Sequence, residues 1–286
     1  MPDAYERPDT LDDALAVLAD GKWTVLAGGT DIFPAAATAY AWGRPRPERI
    51  LDISAIDALR GIEETEYAFR IGSRVTWTEM IESALPGYFA CLRQSGREVG
   101  GIQIQNRGTI VGNICNASPA ADGVPALMAL DAEVELAGPA GPRRVPLAAF
   151  IRGNRRTDLH DGELVTGLVI PKRLDTARSN FRKLGARRYL VISIAMVAAL
   201  LETDPSGQIS HARVAVGACS EVAQRLPALE AALLGRACDD TLGDALTADM
   251  LAPLSPIDDV RGDAAYRRDA ADALVRRALA DLGQPI

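Results

Sequence analysis

Gly108-Thr109-Ile110-Val111-Gly112-Asn113-Ile114-Cys115-Asn116-Ala117-Ser118-Pro119-Ala120-Ala121-Asp122 is the stretch on which the reading of the fold turns. Two glycines four apart, with a hydroxyl after the first and a carboxamide after the second, describe backbone that bends close to something polar. Glycine lacks Cβ and reaches left-handed angles, so successive amide N–H groups can converge on an anion such as a phosphate. A tight turn without a ligand has the same pattern, and the stretch by itself supports both. Packing of two membrane helices through Gly-x-x-x-Gly is excluded by Asn106, Arg107, Asn113 and Asn116.

A second glycine bend lies upstream. Thr10 and Asp13 resemble a capping pair, and Leu11, Ala14, Leu15 and Leu18 follow helical spacing up to Gly21. Trp23 to Ala27 then reads as a short buried strand that runs through Gly28-Gly29-Thr30-Asp31 into an Ala-rich helix from Ile32 to Tyr40. Such a unit brings backbone N–H groups and a helix N-terminus to one point, where a phosphate is favoured. A plain strand-to-helix turn is the alternative. Neither nucleotide fingerprint fits, because no Gly-Lys-Ser/Thr is present and no G-x-G-x-x-G follows a strand.

The chain of 286 residues is long enough for one large or two medium domains, and 48% hydrophobic with 24% charged residues is ordinary globular composition. A net charge of −7 without a basic stripe argues against nucleic acid. Cys91, Cys115, Cys219 and Cys238 form no C-x-x-C pair, so neither a zinc nor an iron–sulfur ligand set is written here, and buried free thiols are expected. Met1 to Pro8 lacks a positive start followed by an apolar run, and the run Tyr189 to Leu201 is too short to cross a bilayer, so a cytoplasmic protein is expected.

After a Pro-rich link, Gly43 to Pro47, strands are expected over Arg49–Ile53 and Tyr67–Ile71. Thr76 and Glu79 form a capping box for a helix to Leu85, and a further helix runs from Tyr88 to Val99. A short helix over Val124–Leu130 precedes a hairpin of Ala132–Ala137 and Arg143–Val145, then a strand from Glu163 to Ile170. The texture changes near residue 175. Asn180–Gly185, Tyr189–Glu202 and Gln208–Gly217 read as three strands, followed by helices over Ala228–Leu234, Leu242–Leu251 and Ala264–Leu282.

Taken together, Val25-Leu26-Ala27-Gly28-Gly29-Thr30-Asp31 and Arg107-Gly108-Thr109-Ile110-Val111-Gly112-Asn113-Ile114-x-x-Ala117-Ser118-Pro119-x-x-Asp122 resemble the paired FAD-binding motifs of the flavoprotein (medium) subunit of molybdenum hydroxylases, the xanthine dehydrogenase and carbon monoxide dehydrogenase family. The resemblance extends to Tyr5-x-Arg7-Pro8, Leu51-Asp52-Ile53, Ile71-Gly72-Ser73, Gly162-Glu163-Leu164-Val165-Thr166, Phe181-Arg182-Lys183 and Tyr266-Arg267-Arg268. Val111 departs from it, standing where the family usually carries glycine.

The resemblance implies an α+β architecture. Residues 1–175 would form a two-part FAD-binding domain of the vanillyl-alcohol-oxidase (PCMH) type. Residues 176–286 would form a small α+β domain with a three-stranded antiparallel sheet and helices. It also implies that Val25, Leu26, Ala27, Gly28, Gly29, Thr30, Asp31 and Ile32 in one loop, and Thr109, Ile110, Gly112 and Asn113 in the other, wrap the FAD pyrophosphate. Ala117 and Ser118 belong to the same motif. Val99 and Val165 match apolar contacts, Asp122 an acidic residue that hydrogen-bonds FAD, and Lys183 a nearby lysine. A side chain at Gly29 or Gly112 is then expected to occupy the space of the diphosphate. A carboxylate suits polyol or sugar hydroxyls, although Asp122 could equally cap a turn and Lys183 could hold its amine in water.

By the same resemblance, FAD is the redox centre of this chain, and no catalytic or metal-binding residue of its own is required. A large molybdopterin-binding subunit would hydroxylate the substrate, and a small subunit with two-iron two-sulfur clusters would deliver electrons here, in a heterotrimer that can itself pair. Gly153 to Thr157 leans towards the xanthine dehydrogenase relatives and an N-heterocyclic substrate. The alternative is a self-sufficient flavin oxidoreductase of the same fold, which needs its own proton donor; His160 and His211, the two histidines, both read as surface residues.

Overall fold

The computed structural model describes residues 4–41 and 49–284, so the Pro-rich link lies outside the described residues. A small parallel sheet begins the fold, with Ala4–Glu6, Arg49–Asp52 and Thr24–Leu26 in that order across it. Parallel pairing requires crossovers. Helices Leu11–Ala19 and Ile32–Ala41 lie between its strands in the sequence. Thr10 caps the first, accepting from Asp13 N at 3.2 Å, and Ala14 and Leu18 pack with Leu51 and Ile53.

An antiparallel sheet of five strands follows, ordered Ile62–Glu64, Ala68–Gly72, Leu164–Pro171, Glu133–Ala137 and Arg143–Pro146. Helices Trp77–Glu82, Ala90–Glu98 and Gly123–Ala129 share its core. The Thr76 and Glu79 capping box is formed: Thr76 Oγ1 accepts from Glu79 N at 3.2 Å, and Glu79 Oε2 accepts from Thr76 N at 2.7 Å.

The third sheet holds Arg178–Leu184, Ala195–Thr203 and Ile209–Gly217, all antiparallel. A short fourth strand, Gln224–Arg225, pairs with Ala215 and Val216, one more than the three expected. The alternation of a strand explains the long apolar run. Met196, Ala198 and Leu200 face the core shared with the five-stranded sheet, while Ala195, Val197, Ala199 and Leu201 face the final helix, Ala264–Gly283. Both faces are covered, so neither set can be polar.

Three local expectations are corrected. Tyr189 to Ile194 is not strand, because pairing starts at Ala195 and Leu190 takes a left-handed φ of 51°. Leu242 to Leu251 is two 3₁₀ turns, Asp240–Ala245 and Ala248–Leu251, separated at the extended Leu246. The stretch from Gly108 to Asp122 contains a helix, Ile110–Cys115, capped by Thr109. Among the described residues no helix is long and apolar enough to cross a membrane.

One cluster ties the early part of the chain to the third sheet. Asp131, in a left-handed turn at φ 52°, is shared by Arg173, Arg213 and Arg225. Arg213 Nε lies 2.8 Å and Arg225 Nη1 2.9 Å from its Oδ1. His211 Nε2 stands 3.5 Å from Oδ2, which corrects the expectation that this histidine is a surface residue: its side chain is only 19% exposed.

Candidate functional site

The two glycine stretches meet. A Cβ added to Gly28 would sit 2.0 Å from Arg107 O and 3.0 Å from Gly108 Cα, so the backbones touch where Gly28 has no side chain. Asn116 Nδ2 donates to Asp31 Oδ1 at 3.2 Å and joins the loops again. The second loop is anchored from behind, with Trp77 N donating to Gly108 O at 3.0 Å and Ile110 N to Val75 O at 3.1 Å.

An open cleft of about 610 Å³ runs between these loops and the segment Leu190–Ile192. Val25, Ala27, Gly28, Gly29, Thr30, Asp31 and Ile32 line it from the first loop. Thr109, Gly112, Asn113, Ser118 and Asp122 line it from the second, and Val99 from the helix between. Five expected residues do not line it. Leu26, Ile110 and Ala117 are buried behind the loops, and Lys183 meets the lining through Asp122 and the Glu98 carbonyl. Val165 is a core residue on the central strand, paired with Leu136 and 3% exposed, and does not line the cleft.

The chain's own packing also accounts for the glycines. Of Gly28, Gly29, Gly108 and Gly112, only Gly29 has a positive φ, 74°. A Cβ on Gly29 would meet the Phe33 ring at 2.5 Å, and one on Gly112 would meet Thr109 Oγ1 at 2.7 Å. These glycines let the protein pack on itself, and the cleft follows from that packing. Thr109 Oγ1 accepts from Gly112 N at 3.0 Å as a helix cap. Val111 fits because its position is helical and its side chain is buried.

Asp122 and Lys183 form a buried pair, with Lys183 Nζ 2.7 Å from Asp122 Oδ2 and Ser193 Oγ donating to Oδ1 at 2.6 Å. Burial raises the Asp122 carboxyl above its ordinary value, and Lys183 and Ser193 oppose that rise. Neither bland alternative holds: Asp122 makes no side-chain cap, and the Lys183 side chain is 6% exposed. Each carboxylate oxygen keeps a lone pair for a hydroxyl in the cleft.

Sequence reasoning missed Glu98, Gly100, Ile104, Cys115 and Asn116 in the lining, and the apolar trio Leu190, Val191 and Ile192. Leu190 and Ile192 are 56% and 52% exposed, the mark of an apolar run that faces something other than protein core. Cys115 is exposed and Cys238 partly so, which corrects the expectation of buried thiols, while Cys91 and Cys219 are buried. His160 has a side chain 65% exposed, and neither histidine lines the cleft. Among the described residues, no group of three or more His, Cys, Asp or Glu side chains could hold a metal.

The cleft suits a flavin dinucleotide chemically. Small residues expose backbone at the loop junction, Asp31, Glu98 and Asp122 offer acceptors for hydroxyls, and Val99, Ile104 and Leu190–Ile192 offer apolar surface to rings. Residues 2–173 match the family described as the FAD binding domain in molybdopterin dehydrogenase. The chain belongs to this molybdopterin dehydrogenase flavoprotein family. Residues 180–282 match its companion, the CO dehydrogenase flavoprotein C-terminal domain. Similar family members include the nicotine 6-hydroxylase medium subunit of Paenarthrobacter nicotinovorans, 30% identical, with 98% of this chain and 96% of that one covered. The solved carbon monoxide dehydrogenase of Hydrogenophaga pseudoflava is 30% identical with a TM-score of 0.90, over 99% of this chain and 97% of that one. Quinoline 2-oxidoreductase of Pseudomonas putida 86 is 26% identical with a TM-score of 0.86, over 98% and 96%. This flavoprotein is thus an FAD-binding chain of the molybdenum-containing oxidoreductases.

Proposed function

We propose that the chain is the electron-transfer subunit of a molybdenum hydroxylase, taking electrons from iron–sulfur clusters of a partner and passing them to an external acceptor. The observation that carries this is the contact between Gly28 and Arg107–Gly108, which makes one cleft of two distant loops. In this reading the chain has a PCMH-type flavin domain over residues 1–175 and a C-terminal domain over 176–286. It works in the cytoplasm beside a large molybdopterin-binding subunit and a small two-iron two-sulfur subunit, in a heterotrimer that can pair. Relatives named as medium chains or medium subunits support such a complex.

Bound FAD would supply the redox chemistry, and the protein would supply position and electrostatics. Residues 28–32 and 109–113 would hold the diphosphate at the loop junction with backbone N–H groups and hydroxyls. Asp122, held by Lys183 and Ser193, would accept from a cofactor hydroxyl, and Val99 would pack on a ring. Neither histidine lines the cleft. Substrate choice would lie on another chain. Relatives named for carbon monoxide, nicotine and xanthine stand at 29%, 30% and 29% identity, and the Gly153–Thr157 hairpin lies against the flavin loops through Arg155, so neither selects a substrate.

The test is expression of the chain alone and with its partner subunits. The chain alone is expected to bind FAD and to show no turnover until the partners are added. Oxidation of NADH or substrate by the chain alone would favour the self-sufficient reading, and a chain unable to bind FAD would overturn both.

A further inference from the structure

The cleft has a charge deficit for the ligand assigned to it. Its lining carries Asp31, Glu98 and Asp122 and, among the described residues, no Lys, Arg or His. Lys183 already pairs with Asp122 and is buried. A diphosphate would therefore enter an acidic surface, with only amides and hydroxyls to receive it.

A cation stands one side chain away. Arg155 lies in the turn of the hairpin formed by Ile151–Gly153 and Arg156–Thr157. Its Nη1 donates to Asn116 Oδ1, and the Asn116 amide donates onward to Asp31 Oδ1 at 3.2 Å. Arg155 has no carboxylate partner among the described residues, in a chain where most arginines have one. The turn is held in an unusual shape. Arg155 has φ 58° and Ala117, which it meets, has φ 46°; Arg155 N donates to Ala117 O at 2.9 Å. Left-handed backbone at two non-glycine residues facing each other persists only where surrounding contacts impose it. From the far side Glu221 Oε1 accepts from Asn154 N at 3.1 Å and from Arg156 Nη2 at 3.3 Å.

We propose that this hairpin is a third element of the flavin site, in which Arg155 acts through Asn116 as a positioning residue. It fixes the two glycine loops relative to each other and brings to their junction the positive charge that the lining lacks. The proposal rests on the flavin reading above. It goes beyond it by assigning a residue outside both loops and by predicting that the effect is confined to ligands carrying the diphosphate.

Apoprotein of the wild type, Arg155→Ala, Arg155→Lys and Asn116→Ala is titrated with FAD and, separately, with riboflavin, which has the ring system but no phosphate. Thermal melting of each apoprotein checks the fold. Loss of a charge-assisted contact is expected to weaken FAD binding roughly tenfold or more in Arg155→Ala. Riboflavin binding and the melting temperature should stay near the wild-type values. Arg155→Lys should recover part of the loss, and the salt dependence of FAD binding should be shallower in Arg155→Ala. Equal FAD affinity in wild type and Arg155→Ala, or equal weakening of FAD and riboflavin, would overturn the proposal. Failure of the wild type to bind FAD would instead overturn the flavin reading itself.

Discussion

Replacing Gly28 by alanine is expected to leave the protein without flavin and measurably less stable. The added Cβ would lie 2.0 Å from Arg107 O and 2.8 Å from Arg107 C, both backbone atoms, so no rotamer change can relieve the clash. The two loops must separate by more than an ångström, and overpacking of that kind typically costs about 1–3 kcal/mol. The same separation opens the junction at which a diphosphate would be held. A loss of about 3 kcal/mol in binding would raise the FAD Kd by a hundredfold or more. Gly87→Ala is the control, since its Cβ would meet nothing within 4 Å. Flavin content by absorbance and the urea midpoint are the measurements. Full flavin occupancy in Gly28→Ala would show that the loop contact does not matter.

Asp131→Asn is expected to give the largest change in stability away from the cleft. One carboxylate serves three guanidinium groups, and its side chain is 26% exposed while that of Arg173 is 15% exposed. The amide keeps the shape and removes the charge. Removing one partner from a buried ionic cluster costs about 3–5 kcal/mol, and partial exposure places this site near the lower figure. For a chain of this size, about 3 kcal/mol corresponds to a fall in Tm on the order of 8 °C. Burial would raise the Asp131 carboxyl, but His211 3.5 Å away, the hydrogen bonds from Arg213 and the charges of Arg213 and Arg225 outweigh it and hold the group well below the usual carboxylate range. The native state therefore keeps Asp131 ionised at a pH where the unfolded chain already binds a proton. The stabilisation is complete above the unfolded value of about 4 and is lost as pH falls from there towards the lower native value. Denaturation midpoints measured from pH 7 down to pH 3 should fall more steeply in the wild type than in Asp131→Asn, the two converging in acid. Parallel curves would remove Asp131 from the account.

Much of this architecture was legible because local rules and tertiary packing agree. The capping pairs at Thr10 and Thr76, the hairpin through Gly138 to Pro142 and the turn at Gly207, with φ 80°, all occur where turn and cap chemistry place them. The strand Ala195–Thr203 was found too, but its start was not. An apolar run shows that side chains avoid water without showing whether protein or ligand covers them, so Leu190 to Ile192 read as strand although they border the cleft. The helix Ile110–Cys115 was hidden for a different reason: two glycines suggest a loop, and the cap at Thr109 has no Glu three residues on to announce it. The two loop walls of the lining followed from the paired motifs. Asn116 and Arg155 did not, because their roles come from a hairpin some forty residues downstream.

In the proposed reading the bends at Gly28 and Gly108 grip one diphosphate between them. A crystal structure of the chain with FAD bound tests it most directly. A single diphosphate is expected, with oxygens about 3 Å from backbone N–H groups of both residues 28–32 and residues 109–113. A diphosphate resting on one of these segments alone, or outside the cleft altogether, would contradict it.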